Sequence, residues 1–351
     1  MTLPSTLDVL LPFWGMAGGV IKVLDYAEHA AQLDIETTLW APPRPDPGDT
    51  VFTLPVIERL NTHSSVSLRG LDDLEFDDDA TVLFTEVGHH RLIEAAMDRP
   101  LGDRLIHLVQ GTRHANARWN GGANYRLLHR PMTRIAVSTA VADAIEPLVN
   151  PNGRTVTIRE GHDWPFFAKD VPASPVPASH RLRILYTTWK TDLGERIARR
   201  LDDSPVHDDV ACISVSTPLG WPALRNRYHG ADVFICTPGP EEGFYLPGLE
   251  AMAAGAAVIT SLVGGNAEYV RDGENAIVVP YDDVDAHVRA IERLVTDRSL
   301  LNRLTQGPAT EVLSNHSLAD ERVAFADVLR EVNREPASAV GYDLEHGAAH
   351  R

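Results

Sequence analysis

Two glutamates stand eight positions apart, Glu242 and Glu250, in the stretch E-G-F-Y-L-P-G-L-E. Carboxylates accept hydrogen bonds from hydroxyls, so a pair held near one crevice suits a polyol such as a sugar. Gly243, Phe244, Tyr245 and Leu246 lie between them, where a helix is expected to begin. Backbone amides at a helix start point outward, and the helix dipole there favours an anion such as phosphate. One face thus offers amides to a phosphate and carboxylates to hydroxyls. A dipole complement for Glu250 and a solvated loop charge for Glu242 would account for the same residues taken alone. Two further features carry similar chemistry. Gly15-Met-Ala-Gly18-Gly19 follows an apolar strand and precedes a helix, a second anion cradle. Lys190 is one of three lysines in the chain, against 29 arginines, and follows another strand.

These residues need positioning elements, and the pattern supplies them. Val233 to Cys236 is a short apolar run that reads as a buried strand. Thr237 to Gly243 holds two prolines and two glycines and reads as a loop. Pro247 suits a first helical turn, and Gly255 a helix stop. Ala257 to Thr260 is a second strand. Strand, loop, helix, strand is half of a doubly wound α/β domain, in which ligands sit beyond the carboxyl ends of the strands.

The same stretch, E-G-F-Y-L-P-G-L-E-A-M-A-A-G-A-A-V-I-T-S followed by G-G-N-A-E, closely resembles the donor signature of retaining glycosyltransferases of family 4. That family has an E-x7-E spacing and the GT-B fold. Tyr245 stands where the family usually has Gly, which would narrow the sugar pocket; Ala257 replaces a Pro. The resemblance implies an α/β chain of two Rossmann-like doubly wound parallel-sheet domains with a cleft between them. It implies Glu242 at the sugar, as the residue on which catalysis depends, and Glu250 at the ribose. It implies Gly18, Gly19, Lys190, Gly243, Phe244, Tyr245 and Leu246 around the donor diphosphate. A family His that reaches the sugar is matched here by Gln110, so Gln110, His107, His114 and Arg113 are the candidates for acceptor or sugar contacts. The family's Arg beside Lys190 has no counterpart. Glu160-Gly161-His162-Asp163 resembles the N-G-V-D segment that marks the edge of the first domain.

The implied activity is transfer of a hexosyl group, with retention, from a nucleoside diphosphate sugar to a hydroxyl of a saccharide or glycolipid. Both UDP and GDP sugars occur in the family; a looser resemblance to actinobacterial mannosyltransferases favours GDP-mannose. Two alternatives stay open: a non-catalytic two-lobed protein that binds a sugar or nucleotide sugar, and a nucleotide-sugar epimerase on the same fold. No prosthetic group and no obligatory metal are expected. The acidic run Leu71 to Asp79 reads as solvated surface, and no His or Cys spacing matches a metal site.

Length and composition agree. At 351 residues the chain suits two domains. The expected division is a 1–167 acceptor-side domain, a Pro-rich linker 168–180, a donor-binding domain 181–334 and a disordered tail 335–351. The resemblance implies that the last amphipathic helix, Ser317 to Val332, crosses back to the first domain. The net charge of −17 argues against a polyanion such as nucleic acid as a partner. Arg113 to Arg134 holds five arginines and no acid; it reads equally as flexible surface or as an acceptor-side face for a phosphate, a carboxylate or a peripheral membrane headgroup. Cys212 and Cys236 sit in apolar runs and read as buried thiols. The first 20 residues lack a basic stretch, which argues against a signal peptide, and the expected location is cytoplasmic.

Overall fold

The computed structural model describes residues 2–46, 48–97, 100–169, 176–177, 179–305 and 312–333. Most of the expected linker, at 170–175 and 178, and all of the expected tail lie outside the described residues.

Two parallel sheets form the molecule. The first holds β1 (Thr6–Leu10), β2 (Glu36–Ala41), β3 (Val66–Gly70), β4 (Val82–Phe84), β5 (Leu105–Val109), β6 (Thr133–Ala136) and β7 (Arg154–Thr157), in the order β3-β2-β1-β4-β5-β6-β7. The second holds β8 (Leu182–Thr187), β9 (Val210–Val215), β10 (Val233–Ile235), β11 (Ala257–Thr260) and β12 (Ala276–Val278), in the order β12-β11-β10-β8-β9. The central strands are mostly apolar because helices cover both faces; all five residues of β5, LIHLV, are buried, His107 among them. Each sheet reverses its winding once, between β1 and β4 and between β8 and β10. Those two switch points are where a doubly wound sheet opens a crevice.

The strand expected at Ala257 to Thr260 is β11, with those bounds. The helix Val284–Thr296 is capped by Asp283, which accepts from the Ala286 amide at 2.9 Å. Gly255 follows the helix Leu246–Ala253 with φ 74°, the left-handed stop that glycine permits. Two findings correct the sequence reading. β3 was not evident, because it is an edge strand with four of its five residues exposed and has no apolar run. Cys212 is exposed rather than buried, because β9 is also an edge; Cys236 is buried.

The helix Leu318–Val332 packs on the helix Gly18–Gln32 of the first lobe, with Tyr26 and Phe325 edge to face at 4.7 Å. Between these helices Lys22 is fully buried. Its ammonium meets Asp25 at 2.9 Å, Glu321 at 2.8 Å and the Gly161 carbonyl at 2.6 Å. His29 Nε2 lies 2.9 Å from the same Glu321 carboxylate. Burial pushes the Lys22 pKa down, but Asp25, Glu321 and Glu160 outweigh it and the net shift is upward. The ammonium is therefore charged.

Candidate functional site

The two switch points face each other, and the loops leaving their strands carry the expected residues. After β1 the chain runs through the glycine loop into the helix Gly18–Gln32. Its N-cap, Ala17, has no side chain that could cap the first amides. After β10 the chain runs through Glu242 into the helix Leu246–Ala253, whose N-cap Tyr245 offers no side-chain cap either. The two helix starts meet: a Cβ at Gly18 would lie 3.3 Å from Leu246 Cδ1. Two sets of uncapped amides and two positive dipole ends thus converge from opposite lobes, and an anion is the ligand that this arrangement favours.

The lobes are closed on each other here. Gln110, at the end of β5, donates from Nε2 to the Gly19 carbonyl at 3.1 Å. Its own carbonyl presses on Gly243, where a Cβ would come within 2.4 Å of the oxygen. Ser138 Oγ donates to the Gly243 carbonyl at 2.7 Å. The Thr139 amide donates to Glu268 at 2.7 Å, and Asn116 to Glu241 at 3.0 Å. Gly111 and Glu242 form an antiparallel bridge across the seam. The Gly264–Glu268 turn nests behind the loop, with a Cβ at Gly265 only 2.3 Å from the Gly243 carbonyl carbon.

Lys190 and Glu242 project from the loops after β8 and β10, the strands that flank the second switch point. Their charged ends pair at 2.5 Å, with the Lys190 side chain half exposed and Glu242 at 18%. Lys190 Nζ also lies 5.8 Å from the Tyr245 ring centroid. Glu242, Lys190, Gly18, Gly19, Gln110, Gly243 and Leu246 are therefore brought together.

Other expected site residues are buried around the site rather than open to a ligand. Tyr245 does not narrow a pocket: its ring is buried under the loop and its hydroxyl accepts from the Thr237 amide at 3.2 Å. Phe244 is buried against Tyr269 and His316. Glu250 is not open to a ribose. Tyr228 OH donates to its Oε2 at 3.0 Å, His162 Nε2 lies 3.2 Å from its Oε1, and its side chain is only 5% exposed. A carboxylate this deep needs such partners.

His107 and His114 are not acceptor contacts. His107 is fully buried, stacks on Phe84 at 5.0 Å and faces the Thr85 carbonyl. Burial, reinforced by His114 and Arg134, keeps it neutral. Burial and Arg113 push His114 down to about 3. Arg113 lies over the Trp119 ring at 5.1 Å, half-buried. The basic segment is ordered by Arg134, whose buried guanidinium donates to the carbonyls of Leu127, Leu128, Arg130 and Met132.

Sequence reading missed three neighbours of the site. Glu86 ends the β4 loop at the first switch point, and its side chain does not cap the helix Val87–Ala96 that it precedes. Burial raises its pKa, partly offset by Arg113. Glu160 is buried, and its pKa is pushed up to about 8, first by burial, against Lys22, then by Glu321, Asp25 and Glu242. Ser138, the third, looks like an ordinary helix cap and also serves as one, to Val141. Position just beyond a strand was the available signal for Glu86; the other two depend on contacts between lobes. Among the described residues no cluster of His, Cys, Asp and Glu could hold a metal ion, and no helix is long and apolar enough to cross a membrane.

Residues 196–297 match the family model described as Glycosyl transferases group 1. The match holds Glu242, Glu250 and the Gly264–Glu268 turn, but not Lys190 or the first lobe. The chain is 27% identical over 270 residues to an exopolysaccharide phosphotransferase of Streptomyces coelicolor, covering 72% of this chain and 27% of that protein. It is 36% identical over 114 residues to a D-inositol 3-phosphate glycosyltransferase of Streptomyces bingchenggensis, covering 32% of this chain and 24% of that one. The chain therefore spans about a quarter of the length of these curated relatives. The crystal structure of Anabaena HepE in complex with UDP-glucose superposes with a TM-score of 0.67 at 14% identity, over 93% of this chain and 99% of that one. That likeness shows the fold, which is GT-B.

Proposed function

We propose that the chain is a retaining glycosyltransferase that moves a hexosyl group from a nucleoside diphosphate sugar to a hydroxyl of a saccharide or glycolipid acceptor. The observation that carries this reading is the meeting of the helix starts at Gly18 and Leu246, from opposite lobes, beside Lys190 and Glu242. Lys190 and the amides at the two helix starts hold the diphosphate, and they stabilise the charge that develops on it as the glycosidic bond breaks. Glu242 accepts hydrogen bonds from the sugar hydroxyls. The acceptor hydroxyl attacks on the face that the diphosphate leaves, and a diphosphate oxygen takes its proton. Gln110 closes the sugar end of the site from the first lobe. Glu250 supports the loop through Tyr228 and His162 rather than touching the ribose.

The closed seam around Gly243 excludes water, which limits loss of the sugar to hydrolysis. No prosthetic group or metal has a step in this scheme. A cytoplasmic location belongs to the same proposal. The sequence resemblance favours GDP-mannose, and HepE was solved with UDP-glucose, so both donor types enter the test.

That test is nucleotide-sugar turnover, with and without an acceptor panel, on wild type and on Glu242→Ala. Release of nucleoside diphosphate from one donor, reduced more than about tenfold in the variant (about 1.4 kcal/mol of barrier), supports the reading. Equal turnover by the two proteins removes Glu242 from the site. Binding of a donor without turnover moves the non-catalytic binder to the front.

A further inference from the structure

Lys190 and Glu242 satisfy each other in the structure, at 2.5 Å, with the Tyr245 ring beneath the ammonium. Under the donor-site reading, on which the inference rests, each has a different partner during the reaction. Lys190 belongs with the diphosphate and Glu242 with the sugar. Neither role is compatible with the pair as it stands.

We infer that the Lys190–Glu242 pair is a discriminator: it makes the site prefer an intact nucleotide sugar to the nucleoside diphosphate that remains after transfer. A diphosphate carries more negative charge than one carboxylate and offers several oxygens, so it takes Lys190 from Glu242. The exchange leaves Glu242 without its cation, facing an anion. When the sugar is attached, its hydroxyls donate to the carboxylate and restore its hydrogen bonds. When only the nucleoside diphosphate is present, nothing does. The carboxylate then repels the ligand across a partly buried gap, where charges are weakly screened.

Among the described residues no second cation forms an ion pair with Glu242; Arg113 lies against Gly111, which bridges to Glu242, but its guanidinium is turned over the Trp119 ring. Glu241 is held by Asn116, and Glu160 lies close enough to feel the Glu242 charge. Tyr245 offers Lys190 only a ring face. The spent nucleotide is thus bound less well than the donor, which favours its release after each cycle. In this role Glu242 sets specificity as well as contacting the sugar.

The test is isothermal titration of UDP, GDP and ADP into wild type, Glu242→Gln, Lys190→Met and the double variant, each checked for folding by its thermal melt. Glutamine keeps the size of the side chain and removes the charge, so the ion pair no longer competes with the ligand. The nucleoside diphosphate is expected to bind Glu242→Gln roughly fivefold tighter than wild type, the ratio that about 1 kcal/mol gives for a partly exposed pair. Lys190→Met should bind it more weakly, and in the double variant the glutamine should recover part of that loss, because the repulsion from the Glu242 carboxylate does not depend on Lys190. If Glu242→Gln does not fold, Glu242→Ala has the same expected sign. Equal or weaker binding by Glu242→Gln, together with weaker binding by Lys190→Met, overturns the discriminator and leaves the donor site intact. If no diphosphate binds wild type, or Lys190→Met changes nothing, the donor site itself is wrong and the inference falls with it.

Discussion

Lys22 and Glu321 form an ion pair at 2.8 Å with both side chains about 1% exposed, and it joins the first helix of one lobe to the last helix of the chain. Removing one partner leaves the other charge buried and unpaired. Lys22→Met is expected to lower stability by about 3–5 kcal/mol, and the double variant Lys22→Met, Glu321→Leu by less than the sum of the single changes. Urea unfolding of the three variants measures this. The pair also has a pH signature. Burial raises the Glu321 pKa, but Lys22 and His29 outweigh it and hold the carboxyl down at about 2, against 4.5 for a free glutamate. The folded value is depressed, so the stabilisation is present above the unfolded value and is lost as pH falls from 4.5 towards 2.

Two glycines, one in the seam between the lobes and one on the surface, give predictions of opposite sign. A Cβ at Gly243 would meet the Gln110 carbonyl oxygen at 2.4 Å, a backbone atom that cannot turn aside. Gly243→Ala should therefore part the lobes, lower stability by about 1–3 kcal/mol and reduce turnover. Gly88 lies exposed in the helix Val87–Ala96, with nothing within 4 Å of a Cβ there. Gly88→Ala should raise stability by about 0.5–1 kcal/mol. Thermal melts of the two variants, with small-angle scattering for the first, check both signs. Compact scattering from Gly243→Ala would show that the seam has slack.

Glu160 should act in the opposite direction to Glu321. Its pKa is raised from 4.5 to about 8, so the folded chain holds a proton that the unfolded chain has released. Stability then falls as pH rises from 4.5 to about 8 and stays low above that. Glu160→Gln removes this slope. The variant should match wild type near about pH 5 and exceed it by roughly 1–3 kcal/mol near about pH 9, read from urea midpoints. Parallel curves for the two proteins would mean that the Glu160 carboxyl reaches water.

Much of this was legible because the central strands are continuous apolar runs bounded by Gly and Pro. Such a run fixed β11 to the residue and β10 to within one. β3 was hidden because an edge strand need not be apolar. In the site, the Glu242 loop and the glycine loop were readable, since each is a local strand–loop–helix pattern. The burial of Glu250 was not, because its partners Tyr228 and His162 lie 22 and 88 residues away. Lys22 left a fainter trace. Lys22, Asp25 and His29 recur at helical spacing on a helix that otherwise looks apolar on that face, and a polar stripe of this kind asks for a buried partner. The partner came from a helix 299 residues on, beyond the reach of any local pattern.

The helix Leu318–Val332 belongs to the second lobe by chain and to the first by packing. Apart from the seam around Gly243, the chain therefore ties the lobes together at two points, once where it leaves β7 and once at the return of this helix. A body held at two points swings easily about the line through them and resists twist and slide. The expected motion is that of a door rather than a ball joint, and its swing would carry Gly243 away from Gln110 while Lys22 and Glu321 stay together on the frame. A cut in the chain between β7 and β8 would leave the two lobes attached.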